Sequence, residues 1–237
     1  LHRFRHSFPT RRSSDLMSCL GRNGFMYRSQ LRDEMCPNGT DEQRKAVFKQ
    51  ITYHATQFMR TIQARKEFIN NHPKKLEIAR KIIEARPNSK IITFSNNIKM
   101  AESIGMGGKV FSGRDSKKKG RTTIEEFSKE SSGILHTVRK ADEGLDVPGL
   151  SVAIILGIDS SKIRKVQRIG RVVRKEGDKK AEIFTLVIDQ TVETEWFKKS
   201  NNSTSVVTID EDGLNEVLAG REPKPYVKRI KDFTFRY

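Results

Sequence analysis

The sequence predicts an α/β fold built on a mostly parallel sheet and preceded by a helical connector. Three observations carry that prediction. From Lys90 to Lys199, short apolar runs alternate with helical stretches. This is the pattern of strands joined by crossover helices, which implies parallel strands with right-handed connections. Between Thr40 and Ala85 the apolar residues recur at helical spacing, with no strand among them. Within Ile134 to Gly177, two apolar runs each discharge into glycine and arginine. An open α/β sheet presents phosphate-binding groups in that way, at the carboxyl ends of its strands.

The elements follow in order. Leu1 to Leu16 (LHRFRHSFPTRRSSDL) has neither helical nor strand period and resembles a translated sequencing-adapter remnant. It is expected to be a non-native or disordered leader over 1–16. Met17 to Thr40 is glycine-dotted and weakly patterned, and reads as a linker or the last scrap of a preceding domain. Thr40-Asp41 caps a helix, with Gln43 as capping-box partner. Ala46, Val47, Ile51, Ala55, Phe58, Met59 and Ile62 continue that helix towards Ile69, and Asn70-Asn71-His72-Pro73 ends it. Lys74 to Ala85 is a second helix, stopping before Pro87. Strands are expected at Ile91–Phe94, Lys109–Phe111, Ile134–Val138, Val152–Leu156 and Ala181–Ile188. Helices are expected at Asn97–Ile104, Ser116–Phe127, Ser161–Val173 and Val192–Lys199. Val206–Ile209 would add an edge strand and Asp210–Ala219 a short helix before a basic tail.

Lys plus Arg total 46 against 29 Asp plus Glu, a formal net charge of +17. That excess implies a polyanionic partner, nucleic acid ahead of a membrane surface. A lysine-rich surface that merely keeps the chain soluble is the plainer reading. Two cysteines, Cys19 and Cys36, make neither a disulfide framework nor a zinc knuckle, which fits a reducing, intracellular setting. No apolar run approaches the ~20 residues of a membrane span, so no membrane partner is expected.

Three segments carry chemistry. In Gln167-Arg168-Ile169-Gly170-Arg171-Val172-Val173-Arg174, helical spacing puts Arg171 and Arg174 on one face, one turn after Gln167. Gly170 allows close approach between them. Paired guanidinium forks suit the spread charge of phosphoryl transfer, although a solvated basic face would look the same. In His136-Thr137-Val138 through Asp146-Val147-Pro148, a strand ends at Thr137 and the loop offers Gly144 and Asp146. A hydroxyl with free backbone N–H groups holds a nucleic-acid phosphate, and an ordinary capped turn is the bland alternative. In Ile92-Thr93-Phe94-Ser95-Asn96-Asn97 a strand runs into small polar residues that cap the next helix or touch a phosphate. His136 reads as a strand residue rather than a base.

In this order and spacing the three segments resemble motifs IV, V and VI of superfamily 2 helicases, in their second RecA-like domain. The likeness is to the branch with the excision-repair helicase, phage helicases and restriction-enzyme motors. It covers roughly Ile91 to Ile188, and motif VI is its specific part. Ser112-Gly113, Arg121 and Phe127 sit where that family has its segment between motifs IV and V. The resemblance implies a RecA-like three-layer sandwich. It implies that Arg171 and Arg174 are catalytic arginine fingers reaching ATP, and that Gly144, Asp146, Gln167 and Arg168 lie on the nucleotide side. Thr137, Ser95 and Asn96 would contact the nucleic-acid backbone.

A complete motor also needs a first RecA-like domain. Gly105-Met106-Gly107-Gly108-Lys109-Val110 has the wrong glycine spacing for a phosphate loop, and Val110 stands where Ser or Thr must hold the metal. The chain is therefore expected to be half a motor, with ATP and Mg²⁺ held mainly by a missing first domain and no metal ligands of its own. The expected divisions are 1–16 leader, 17–89 linker and helical connector or remnant of a first motor domain, 90–200 RecA-like domain, and 201–237 C-terminal extension. The implied partners are DNA, with RNA left open, and the first motor domain. The implied setting is the cytoplasm of a prokaryote or phage-infected cell. The competing reading is a non-catalytic nucleic-acid-binding module that has lost its ATPase.

Overall fold

The computed structural model describes residues 13–138, 147–157, 181–200, 206–223 and 225. The chain divides into two compact units, Leu1–Ile69 and Asn70–Tyr237.

The first unit is helical: α1 (Ser13–Ser18), α2 (Gly24–Met35) and α3 (Asp41–Asn70). The capping box forms as its residue types dictate. Gln43 N donates to Thr40 Oγ1 at 3.3 Å and Thr40 N to Gln43 Oε1 at 2.9 Å. Asp41 and Glu42 then complement the positive end of the helix dipole. Val47, Ile51 and Ala55 pack one face of α3 against Leu31, Cys19 and Cys36. Helix α1 covers part of the segment expected to be a disordered leader, and its Leu16 packs partly buried on this cluster. Helix α2 occupies part of the stretch read as a linker or the scrap of a preceding domain.

The second unit contains α4 (Pro73–Glu84), β1 (Lys90–Ser95), α5 (Ile98–Ile104), β2 (Lys109–Ser112) and α6 (Lys117–Lys129). It continues through β3 (Gly133–Val138), β4 (Val152–Ile155), β5 (Glu182–Thr185), α7 (Val192–Ser200) and α8 (Glu211–Leu218). The strands lie in the order β2-β3-β1-β4-β5, and every pairing is parallel. Successive strand residues face opposite ways, so the sheet feeds two cores. Ile92, Phe94, Leu135, Ala153 and Ile155 pack with Phe127 on the α6 face. Ile91, Val152 and Ile154 pack on the other face with Ala79, Ile82 and Ile83 of α4, Ile104 of α5 and Leu214 of α8. The result is a helix–sheet–helix sandwich.

Two differences from the expected divisions have one cause. Helix α4, assigned to the connector, and α8, assigned to the C-terminal extension, both bury apolar stripes on the sheet. Arg86 ties them to it: its guanidinium forks onto Glu182 of β5 at 2.8 and 2.9 Å and donates to the terminal carbonyls of α8. Residues 206–209 do not form the expected edge strand. Ile209 packs into the second core instead, ahead of the Asp210 cap on Gly213 N. The expected basic helix 161–173 lies outside the described residues.

The α/β unit also buries charge. Lys75 and Glu193 are each 1% exposed and bond at 2.6 Å, with the ammonium also donating to Leu156 O at 2.8 Å. Glu193 Oε2 accepts from Ile188 N at 3.1 Å. Burial pushes the Lys75 ammonium below its usual range, against the pull of Glu193. Lys90 lies over the Phe127 ring and donates to Ser128 O and Pro148 O, so each buried ammonium is met by oxygen.

Candidate nucleic-acid interface

Strands β1 and β3 run side by side with Phe94 opposite Thr137 and Ser95 opposite Val138. This register brings Ser95, Asn96 and Thr137, which are far apart in sequence, to one carboxyl edge of the sheet. There β4 leaves beside β1, with Leu156 N and Gly157 N both donating to Phe94 O.

The three candidates differ in hydrogen-bond state. Thr137 is 1% exposed and its hydroxyl donates to Thr93 O at 2.8 Å. A phosphate oxygen accepts and needs a donor, so the Thr137 proton is already committed to the sheet. Ser95 is equally buried, but its Oγ has no hydrogen-bond partner among the described residues. A buried hydroxyl left unpaired is uncommon and costs stability. Asn96 is half-buried and donates Nδ2 to Asn70 Oδ1 at 2.6 Å. Its neighbour Asn97 repeats the pattern, donating to Asn71 Oδ1 at 2.6 Å while its own Oδ1 caps α5 at Met100 N.

Gly157 completes the edge. A Cβ there would lie 2.3 Å from Asn96 Cγ, so only glycine lets β4 exit against that amide. Sequence reasoning missed both the Asn70–Asn96 pairing and Gly157. The repeated Asn-Asn pairs at 70–71 and 96–97 were the available signal.

His136 is a fully buried strand residue. Nε2 faces Gly105 O at 3.0 Å, which can only accept, so Nε2 carries the proton and Nδ1 accepts from Thr93 Oγ1 at 2.9 Å. Burial holds this imidazole below its usual pKa, and neutral it fills its pocket rather than serving as a base. Phe127 is likewise core, and Arg121 is exposed beside Glu125.

Gly144, Asp146, Gln167, Arg168, Arg171 and Arg174 lie outside the described residues. Among the described residues no cluster of three or more His, Cys, Asp or Glu could hold a metal, and no helix is long and apolar enough to cross a membrane.

A five-stranded parallel sheet covered on both faces, with polar residues gathered at its carboxyl edge, defines a RecA-like α/β domain. Its backbone is similar to the C-terminal domain of the DEAD-box protein Dbp5, with a TM-score of 0.53 at 17% identity, covering 63% of this chain and 91% of that one. Residues 74–176 match the helicase conserved C-terminal domain family. The chain is 30% identical over 125 residues to a DNA 3'-5' translocase, XPB2, of Sulfurisphaera tokodaii, covering 52% of this chain and 28% of the relative. It is 29% identical over 147 residues to a putative ATP-dependent RNA helicase of Methanocaldococcus jannaschii, covering 54% of this chain and 18% of the relative. The matched segment is similar to the C-terminal domains of superfamily 2 helicases. The chain spans less than a third of the length of either relative.

Proposed function

We propose that the chain is the C-terminal motor domain of an ATP-dependent DNA helicase or translocase. It works with a first RecA-like domain that holds most of the ATP and Mg²⁺. Bound there, the nucleotide supplies γ-phosphoryl transfer to water. Arg171 and Arg174 stabilise the charge that develops, Gln167 and Arg168 link that site to the inter-domain face, and Gly144 and Asp146 border the cleft. Ser95 and Asn96 touch the backbone of the tracked strand, and Thr137 joins them by exchanging its bond to Thr93 O for one to a phosphate oxygen. Similarity to a translocase named for DNA and the net charge of +17 support DNA as the track.

The observation that carries this reading is the unpartnered Ser95 hydroxyl at the sheet's carboxyl edge, beside the Asn96 amide. A phosphate oxygen would satisfy it. The test is binding of single- and double-stranded DNA across a salt titration. Hydrogen bonds to a charged group contribute about 1.5–3 kcal/mol, so Ser95→Ala or Asn96→Ala should weaken binding by roughly 10- to 150-fold. Neither side chain is charged, so the salt slope should not change. Wild-type affinity in both variants would remove the strand-tracking assignment.

A further inference from the structure

Helices α2 and α3 carry an open groove of about 680 Å³, lined by residues of the helical unit alone. Its floor is aromatic. Phe25 is 71% exposed and Tyr53 60% exposed, and Phe25 stacks at a tilt on Phe48 with ring centroids 5.6 Å apart. The Arg28 guanidinium lies over the Phe48 ring, 5.3 Å from its centroid. Large aromatic faces left in water beside a cation are a feature of surfaces that expect a partner.

The rim decides which partner. Arg32 and Arg44 are engaged: both reach Asp33, and Arg44 also donates to Pro37 O. Lys45 and Lys49 also line the groove, one turn apart on α3, and have no ion-pair partner among the described residues; Asp41 is the one carboxylate on the lining, so its cations outnumber it. Val47, Ile51 and Ala55 of the same helix are committed to the core, so the lysine–aromatic face is a second, unfilled face. Unpaired ammonium groups spaced along exposed aromatic rings match a strand that alternates phosphates with flat bases. An aliphatic helix would match the rings but leave the lysines idle.

We infer that this groove binds single-stranded nucleic acid, stacking bases on Phe25 and Tyr53 while Lys45 and Lys49 neutralise the flanking phosphates. It is a second contact, independent of Ser95 and Asn96. Stacking tolerates any base, so the groove holds a strand without reading its sequence, as suits a chain that passes over every base.

The test uses the whole chain with fluorescein-labelled oligo-dT, and compares Phe25→Ala/Tyr53→Ala, Lys45→Gln/Lys49→Gln and Ser95→Ala. All the altered groove residues are exposed, and circular dichroism should match wild type. Each lost base stack should weaken binding by about 5- to 150-fold. The lysine pair should lower the salt slope by roughly 1.4. Ultraviolet crosslinks from thymine should fall on Phe25, Phe48 or Tyr53. Unchanged oligo-dT affinity and slope in both groove variants would overturn the inference, even if Ser95→Ala weakens binding. The reverse pattern would support the groove and sink Ser95. Loss of oligo-glutamate binding alone, or dissolution of a dimer in sedimentation, would likewise overturn it, giving the groove to an acidic peptide or a second copy.

Discussion

Replacing Lys75 by Met should damage the α/β unit more than any surface change, and a second replacement should repair it. Lys75 and Glu193 are 1% exposed, 2.6 Å apart, and join α4 to α7 across 118 residues of sequence. Removing the ammonium leaves the Glu193 carboxylate buried without its counter-charge. Breaking one side of a buried pair costs about 3–5 kcal/mol. For a unit of this size, roughly 2–4 °C of melting temperature goes with each kcal/mol, so Lys75→Met should melt about 6–20 °C lower. Adding Glu193→Gln removes the stranded charge while keeping an acceptor for Ile188 N, now at 3.1 Å. The double variant should regain at least half of the loss. The chain's one tryptophan, Trp196, sits on α7 beside Glu193, so urea unfolding followed by its fluorescence reports this unit and not the helical one. A Lys75→Met loss below about 1 kcal/mol, or a double variant as weak as the single one, would refute this account of the buried pair.

Other predictions follow from the same geometry. Gly157→Ala drives a methyl onto Asn96, so it should cost about 1–3 kcal/mol and weaken DNA binding as Asn96→Ala does; wild-type affinity would contradict this. His136 is held neutral with its folded pKa depressed, so its contribution is present above the unfolded value of about 6.5 and is lost as pH falls through the folded one. The urea midpoint should therefore drop below about pH 6.5, with a smaller drop in His136→Gln; equal slopes would argue against it. Asp115, whose carboxylate is held low chiefly by Ser112 N, contributes only to a separate acid limb below about pH 4.

The fold was legible because its signals are local. Ile91 to Phe94 and Val152 to Ile155 are short apolar runs between polar breaks, and the helices between them keep their period. Thr40 and Gln43 stand three residues apart, so their capping box could be read directly. What the sequence hid depends on long-range partners. Helix α4 joins the sheet because Ala79, Ile82 and Ile83 find Ile91 and Ile154, and nothing in the helix itself says so. Helix α2 is hard to read because its apolar residues keep no clear period, in keeping with the burial of only Gly24 and Leu31 along it. Residues 206–209 have strand-like composition, but Ile209 is drawn into the helical layer. At the site, the strand-to-polar transition after Phe94 marked Ser95 and Asn96. The committed proton of Thr137 and the fit of Gly157 against Asn96 exist only once β1, β3 and β4 are assembled.

The measurement that bears most directly on the motor assignment is ATP turnover after adding the first RecA-like half of a superfamily 2 translocase in trans, with single-stranded DNA present. A motor half should show negligible turnover alone, clear stimulation in the pair, and a loss of about a thousand- to a hundred-thousand-fold on Arg171→Ala. Stimulation that survives in Arg171→Ala and Arg174→Ala, or no stimulation by a pair that demonstrably associates on DNA, would contradict the motor assignment and leave a nucleic-acid-binding module without a motor's chemistry.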